Sequence, residues 1–127
     1  FFKEALAGKS LEIYGDGNQT RDFIFIKDLV QAIMKSSRVD AGGEIFQIAT
    51  YKETTINEIA DEIKLLVEKE CGRKVKIIHG KERTGDVKRN YSDITKERNM
   101  LGFEPMYDLK KGLEATFEYF KKRIEKD

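Results

Sequence analysis

Cysteine, histidine and proline each occur only once in this 127-residue sequence, as Cys71, His79 and Pro105. A single cysteine excludes an intramolecular disulfide bond and favours a reducing, cytoplasmic setting. One cysteine and one histidine cannot form a zinc site unless several carboxylates join them, and the sequence shows no such spacing. We therefore expect no metal site.

Long apolar runs and an excess of charge of one sign are also absent. No apolar stretch approaches the ~20 residues that span a bilayer, and we see no signal peptide. The 24 Lys and Arg residues balance 23 Asp and Glu residues and leave a net charge of +1. No global field would therefore draw the protein to nucleic acid or to a membrane, and any anion must be held by a local site.

The sequence does contain enough apolar residues for one globular domain. Hydrophobic residues make up 39% and charged residues 37% of the chain, a balance typical of folded proteins and not of disordered segments. The length suits a single unit, residues 1–127. Because the chain begins with Phe1 and not with Met, we expect a fragment or a processed product.

Five helices are predicted from apolar residues at helical spacing and from residues that begin or end helices. The first covers Phe1 to Leu6. The second begins at Asp28 and carries one apolar stripe: Leu29, Val30, Ile33 and Met34. The third runs from a Thr55–Glu58 capping box to Gly72, and a short fourth one runs from Asp93 to Gly102. The last begins at Asp108, and its predicted buried face consists of Leu109, Leu113, Phe117, Phe120 and Ile124.

Strands are predicted between these helices. Leu11 and Ile13 alternate with Glu12 and Tyr14, and a second run, residues 23–26, is fully apolar. Residues 44–50 have the composition of a mostly buried strand, and residues 75–78 form the last one. Because strands and helices alternate along the chain, we expect an α/β fold.

The most unevenly patterned stretch covers residues 15–28, where a turn-forming loop passes through one arginine into four apolar residues. Its two glycines and Asn18 tolerate positive φ, so the loop can turn tightly and leave amide N–H groups facing outward. Arg21 adds a planar, permanently charged fork that suits a phosphate. On this pattern alone, a hairpin turn with Arg21 paired to Asp22 or Asp16 is an equally good interpretation.

Two local matches to dehydrogenase motifs fail. The pair Gly15-x-Gly17 lacks the third glycine of a dinucleotide-binding loop, and it leads into a predicted strand where that loop should open a helix. Tyr107 and Lys111 have the spacing of a Tyr-x-x-x-Lys pair, but Asp108 between them is predicted to cap a helix, and we interpret the match as a coincidence.

Five motifs follow one another along the chain: residues 15–23 (Gly-Asp-Gly-Asn-Gln-Thr-Arg-Asp-Phe), 48–50 (Ile-Ala-Thr), 55–58 (Thr-Ile-Asn-Glu), 83–87 (Arg-Thr-Gly-Asp-Val) and 101–105 (Leu-Gly-Phe-Glu-Pro). Together they resemble the sugar-nucleotide-binding segment of extended short-chain dehydrogenases/reductases. Within that group the chain is similar to the NAD-dependent epimerase/dehydratase family, and most of all to the UDP-glucose 4-epimerases. Five motifs in the right order are far more specific than any one of them.

The resemblance implies a fold and a site. The fold would be the C-terminal, substrate-binding portion of a Rossmann-type extended short-chain dehydrogenase/reductase, without the dinucleotide-binding half. NAD and the catalytic residues would belong to that missing half, so no cofactor and no turnover are expected of this chain alone. The implied ligand is a UDP-sugar. Arg21 and Arg83 would contact its diphosphate, Asp86 a ribose hydroxyl, and Leu11, Ile13 and Tyr14 the uracil, partly through their backbone.

Other interpretations stay open. A nucleotide-sugar dehydratase or decarboxylase would share this half, and a stand-alone nucleotide-binding module is favoured if 127 residues are the natural product. Tyr51 stands where many members of the family carry glycine, so the turn there is expected to be less tight. We also expect a homo-oligomer, because residues 23–26 and 45–49 are apolar on both strand faces and need cover.

Overall fold

The computed structural model describes residues 1–124, apart from the side chain of Ile124. The predicted buried position of that side chain therefore lies outside the described part. Helices and strands are interspersed along the chain, as expected of an α/β fold. Their order is α1 (Phe2–Leu6), β1 (Leu11–Tyr14), β2 (Thr20–Arg21), α2 (Ile26–Ser36), β3 (Thr54–Thr55), α3 (Ile56–Cys71), β4 (Ile77–Gly80), α4 (Thr95–Leu101) and α5 (Leu109–Ile124).

Two small sheets organise these elements. β1 and β4 pair in parallel, with Leu11 opposite Ile77 and Tyr14 opposite Gly80. β2 and β3 pair antiparallel, with Arg21 opposite Thr54. Because β1 and β4 point the same way, the loops that follow them leave the sheet at the same edge.

The main core lies between the parallel pair and three helices. Buried apolar side chains of α1, β1, α3 and α5 form one cluster, which includes Leu11 and Ile13 on β1 and Phe117 on α5. Side chains of this size stabilise the fold by about 1.5 to 3 kcal/mol each when they are fully buried. A second, smaller cluster joins α2 and α4, and its buried members are Ala32, Ala49, Ile94, Leu101 and Phe103.

Helix α3 is bounded as the sequence predicts. The backbone N–H of Glu58 donates to Thr55 Oγ1 at 3.1 Å, and the backbone N–H of Thr55 donates to Glu58 Oε2 at 2.7 Å. These hydrogen bonds from Thr55 favour the ionised carboxylate and lower the pKa of Glu58. Gly72 ends the helix with φ of 63°, a left-handed conformation that suits glycine.

Helices also follow Asp93 and Asp108, as predicted, although the N-cap residue of α4 is Ile94 and not Asp93. Asp93 Oδ1 accepts from the N–H of Thr95, the first residue of α4. Asp108 Oδ1 accepts a hydrogen bond from the N–H of Lys111 in the first turn of α5. Gly102, with φ of 58°, closes α4.

Asp28 is placed differently from the prediction. It is the third residue of α2, not the residue before the helix, and Phe25 holds that position. Its side chain is buried, and its two oxygens accept hydrogen bonds from the N–H groups of Met106 and Tyr107, each at 3.0 Å. Asp28 therefore ties α2 to the segment before α5 instead of capping its own helix.

Two of the predicted strands are wrong. Residues 23–25 have no regular secondary structure, and Ile26 already belongs to α2. Residues 44–50 are not paired as a strand either. Side chains bind their backbone instead: Glu97 Oε1 accepts from the N–H of Gln47 at 2.7 Å, and Asp22 Oδ1 accepts from the N–H of Thr50 at 2.8 Å. A strand needs a neighbouring strand, and within the described residues these segments have none.

The apolar stripe of α2 is largely exposed. Val30, Ile33 and Met34 face solvent, together with Ile26 in the first turn, whereas Ala32 is buried. No helix within residues 1–124 is long and apolar enough to cross a membrane.

Tyr51 adopts a backbone conformation that is uncommon for a residue with a side chain. Its φ is 63°, in the left-handed region, while its N–H donates to Asp22 Oδ2 at 2.9 Å. The turn at Tyr51 is therefore of the kind that glycine makes without strain, and tyrosine bears a conformational cost there.

Tyr51→Gly is expected to be more stable than Tyr51→Ala by about 1 kcal/mol, because alanine keeps the cost of a Cβ at positive φ. Both variants lose the ring whose centre lies 6.1 Å from that of Tyr91. The difference between their free energies of unfolding therefore measures the cost of the backbone conformation alone. Urea unfolding of the two variants measures this difference. An alanine variant at least as stable as the glycine variant would contradict the prediction.

Candidate functional site

The candidate site lies where β1 and β4 end side by side. The N–H of Gly15, just after β1, donates to the carbonyl oxygen of Gly80, the last residue of β4, at 3.2 Å. Residues 15–19 and residues 81–90 therefore leave the same edge of a parallel pair, which is where α/β folds commonly bind ligands. We call them the first loop and the second loop.

The first loop is a tight turn held by its own side chains. Asn18 donates to Asp16 through its backbone N–H at 2.9 Å and through its side-chain amide at 3.0 Å. These bonds, the backbone one first, lower the pKa of Asp16. Gln19 closes the turn, because its side-chain Nε2 donates to the carbonyl oxygen of Tyr14 at 3.0 Å.

Arg21 connects the two loops. Its Nη2 lies 2.6 Å from Asp86 Oδ1, and both side chains of this ion pair are about three-quarters buried. Its Nη1 donates to the carbonyl oxygens of Thr20 and of Val87 in the second loop. The guanidinium thus lies at the junction of β2 with the second loop and brings a fixed positive charge to it.

Further contacts attach the second loop to the small antiparallel sheet. The N–H of Thr20 donates to the carbonyl oxygen of Lys88 at 2.9 Å. Arg89 binds both carboxylate oxygens of Glu53, at 2.7 and 2.8 Å, and this hydrogen bonding lowers the pKa of Glu53 and raises that of Arg89. Bidentate pairing of this kind fixes geometry as well as charge, so a loop that is mostly exposed still has defined anchors.

A cavity of about 310 Å³ lies between the two loops. Gln19 bridges it, since its Nε2 also approaches Asp86 Oδ2 at 3.3 Å. Arg83 stands beside it, with its guanidinium carbon 4.0 Å from the centre of the Tyr14 ring, close enough for a cation–π contact. The lining residues are Tyr14, Gly15, Asp16, Asn18, Gln19, Glu82, Asp86 and Lys88.

Four of the six predicted site residues come together around this cavity. Tyr14 and Asp86 line it, and each is in contact with one of the two arginines, Arg83 and Arg21 respectively. Leu11 and Ile13 are different, because their side chains are buried in the main core. Their side chains therefore cannot make the predicted contact with a base, and both residues pair with β4 through their backbone, where the N–H of Leu11 donates to the carbonyl oxygen of Lys76 at 2.8 Å.

Gln19 and Lys88 line the cavity although they were not predicted as site residues. Gln19 lies inside the motif of the first loop, and Lys88 lies among the basic residues that follow Gly85. Only their position in the sequence could have identified them, because glutamine and lysine are common surface residues. Only the pairing of β1 with β4 shows that the two loops face each other.

A larger groove of about 600 Å³ lies beside α3 and β4. It is lined by side chains of both charges, including Asp61, Lys64 and His79, and by none of the six predicted site residues. The lining of the smaller cavity is also of mixed charge, so the charge of the lining does not separate the two. The smaller cavity is the better candidate because Tyr14 and Asp86 line it and because Arg83 and Arg21 contact these two residues.

The described residues offer no fit for a dinucleotide or a metal. The turn at Gly15 and Gly17 leads into β2, whereas a dinucleotide-binding loop must open a helix whose N-terminus meets the pyrophosphate. Among residues 1–124, no group of three or more His, Cys, Asp or Glu side chains is placed to hold a metal ion.

Comparisons with known sequences find one matching family model and many relatives. The model of the family described as GDP-mannose 4,6 dehydratase matches residues 1–116. A putative UDP-glucose 4-epimerase of Methanocaldococcus jannaschii is 39% identical over 95% of this chain, which corresponds to 37% of that relative's length. UDP-glucuronic acid decarboxylase 1 of Danio rerio is 34% identical over 98% of this chain and 29% of its own length.

Solved structures show the same relation. The UDP-glucose 4-epimerase of Thermotoga maritima, solved with UDP-glucose, superposes with a TM-score of 0.87 at 32% identity, over 97% of this chain and 38% of that one. The UDP-glucuronic acid 4-epimerase of Bacillus cereus, solved with UDP-glucuronic acid and NAD, gives a TM-score of 0.84 at 31% identity, over 96% and 38%. This chain thus spans little more than a third of the proteins it superposes on.

Proposed function

The chain belongs to the family described as GDP-mannose 4,6 dehydratase, and on this premise we propose that it is the substrate-binding portion of an NAD-dependent nucleotide-sugar 4-epimerase. Its fold is that of the C-terminal portion of an extended short-chain dehydrogenase/reductase. The curated relatives include UDP-sugar epimerases and decarboxylases. The proposed ligand is the nucleotide diphosphate of a UDP-sugar.

One observation carries this proposal: two arginines contact the wall of one cavity at the edge of a parallel strand pair. Arg21 and Arg83 each contact a residue of the cavity wall. A diphosphate has two negative groups, and each can take a charge-assisted fork from one guanidinium. With a net charge of only +1 on the whole chain, such a local pair is what an anionic ligand needs.

The proposal assigns a separate part to each wall of the cavity. Arg21 would exchange its contact with Asp86 for one with phosphate, which frees that carboxylate to accept a hydrogen bond from a ribose hydroxyl. Tyr14 ends β1 and is half-exposed, so it is the residue of β1 that we assign to the base. The contacts to the nucleotide, which does not react, would then orient the sugar for reaction.

In this proposal, NAD and proton transfer belong to the remainder of a longer protein. The chain's own glycine-rich turn does not fit a dinucleotide, so we route no chemical step through it. The exposed apolar stripe on α2 supports this division, because a helix face of that kind is normally covered by another part of the protein. The chain alone is expected to bind the nucleotide without converting the sugar.

Titration of the purified chain with UDP, followed by amide NMR, tests the proposal. Shifts are expected in Tyr14, Gln19 and residues 83–88, with a weaker response to UMP and the weakest to uridine, because each lost phosphate removes charge-assisted bonds. UTP and ADP serve as probes for added charge and for the base. If UDP at millimolar concentration shifts no residue of the two loops, the proposal fails.

Incubation of the same material with NAD and a panel of UDP- and dTDP-sugars supplies the second half of the test. No turnover is expected above a blank without protein. Measurable epimerisation, dehydration or decarboxylation by pure chain would show that the catalytic groups are present here after all. That result would contradict the division of labour we propose.

A decarboxylase or dehydratase of the same family is the second candidate. The decarboxylase relative covers 98% of this chain at 34% identity, close to the values of the epimerase relatives. UDP binding is common to these enzymes and does not separate them. A longer protein containing this sequence, supplied with UDP-glucose and UDP-glucuronic acid, would separate them by the mass of the product: an epimerase leaves it unchanged, a dehydratase removes water, and a decarboxylase removes CO2 from UDP-glucuronic acid.

A further inference from the structure

Asn57 occupies a junction that the proposed function does not use. It is the second residue of α3, and it stands between the first loop and the end of β4. Its side chain lines the larger groove and not the cavity between the loops. It would therefore be expected to have no part in ligand binding, yet its amide nitrogen contacts Asp16 and Asn18, which line the cavity.

The side-chain amide of Asn57 is hydrogen-bonded on both sides. Its Nδ2 donates to the carbonyl oxygen of Asp16 at 2.9 Å and approaches Asn18 Oδ1 at 3.4 Å. Its Oδ1 lies 3.2 Å from His79 Nε2, where His79 acts as the donor. The backbone N–H of Asn57 donates to the carbonyl oxygen of Gly17 at 3.1 Å. One residue thus binds the turn and β4 together.

Gly17 is shaped to receive this amide. It is buried and has φ of 75°. A Cβ built on it would lie 2.0 Å from Asn57 Oδ1 and 2.5 Å from Asn57 Cγ, far inside contact distance. The amide plane of Asn57 therefore packs directly on the glycine, and the left-handed turn and the amide require each other.

We propose that Asn57 is a positioning residue for nucleotide binding, which holds the first loop in the shape that places Gln19 across the cavity. This inference rests on the proposed function. The path is short: the turn from Asp16 to Asn18 leads directly to Gln19, whose backbone carbonyl accepts from Ile56, the neighbour of Asn57, at 3.1 Å. Gln19 then joins Tyr14 to Asp86 through its side chain.

Asn57→Leu is the main test, because leucine has nearly the same shape, adds no charge and forms helices better than asparagine. The Kd for UDP is expected to rise by about five- to tenfold, the worth of one or two neutral hydrogen bonds, while the helical circular-dichroism signal of the chain is kept. If Asn57 served only to stabilise α3, the affinity for UDP would not fall while the helix remained folded. Asp61→Asn, one turn further along α3 in the same groove, is the matched control and should bind UDP like the parent.

A double-mutant cycle with Gly17→Ala gives an independent readout. The new Cβ must push the amide of Asn57 away, so Asn57→Ala is expected to cost nothing further in that background, although in the parent it costs about fivefold. Additive losses would overturn the inference.

If the parent binds UDP and Asn57→Leu binds it within twofold of the parent, only this inference is wrong. If the parent itself does not bind UDP, the proposed function falls and this inference with it.

Discussion

Arg21→Ala and Arg83→Ala are each expected to weaken UDP binding by about 1.5 to 3 kcal/mol, the usual worth of a hydrogen bond to a charged group. In this structure, Arg21 is held by Asp86 and Arg83 lies over Tyr14. Both guanidiniums are thus within one side chain of the cavity, and both are available to exchange that partner for phosphate. Isothermal titration of the chain with UDP measures the loss.

The two variants are expected to differ in a second way. Arg21 also binds the carbonyl oxygen of Val87, so its removal releases part of the second loop and leaves Asp86 without its cation. Arg83 stacks on Tyr14 from an exposed position. Amide exchange in residues 84–90 should therefore rise in Arg21→Ala and stay unchanged in Arg83→Ala.

Controls separate phosphate recognition from general charge. Arg38→Ala removes the same charge from an exposed position just after α2 and should bind UDP like the parent. Arg21→Lys keeps the charge but loses the planar fork, so its affinity should lie between those of the parent and the alanine variant. Uridine has no phosphate, so Arg83→Ala should weaken its binding much less than that of UDP. If both alanine variants bind UDP like the parent, the diphosphate assignment is wrong.

Features coded by neighbouring residues could be predicted from the sequence. The limits of α3 are an example, because its capping box and its final glycine act within one turn of the helix. The same holds for α4, which Gly102 ends. A helix makes its own hydrogen bonds, so a local pattern is enough to place it.

Strands could not be placed in the same way. Residues 44–50 have a strand composition, yet in this chain their backbone is bound by Glu97 and Asp22. The composition of a segment indicates that it can be buried in a sheet. It does not indicate whether a neighbouring strand is present to pair with it. The predicted capping role of Asp28 is wrong for a related reason. Its hydrogen-bond partners, the N–H groups of Met106 and Tyr107, lie far along the chain, where no local pattern reveals them.

The sequence predicts residues for the candidate site but not the contacts between them. The hairpin interpretation paired Arg21 with Asp22 or Asp16, whereas in the structure Arg21 pairs with Asp86. Asp22 turns away to bind Thr50 and Tyr51. Side chains separated by some 65 residues meet only because β1 and β4 run in parallel, and no local pattern contains that information.

The isolated chain is expected to self-associate through α2. Ile26, Val30, Ile33 and Met34 lie at helical spacing on one face and are 49–59% exposed. A contiguous apolar face of this kind is rarely left open to water, and a net charge of +1 opposes association only weakly. In a solution of the purified chain, a second copy of the chain can cover this face. Sedimentation over a tenfold concentration range should therefore show a species heavier than the monomer.

Ile33→Glu should shift that species to monomer by placing a charge in the centre of the stripe, with a loss of at least about tenfold in association constant because burying an unpaired carboxylate costs several kcal/mol. Leu65→Glu is the matched control: Leu65 is 60% exposed on α3, away from α2, so its variant should sediment like the parent. A parent that stays monomeric throughout, with a cooperative thermal transition, would show that the chain needs no cover. Dissociation by Leu65→Glu but not by Ile33→Glu would place the contact on α3 and not on α2.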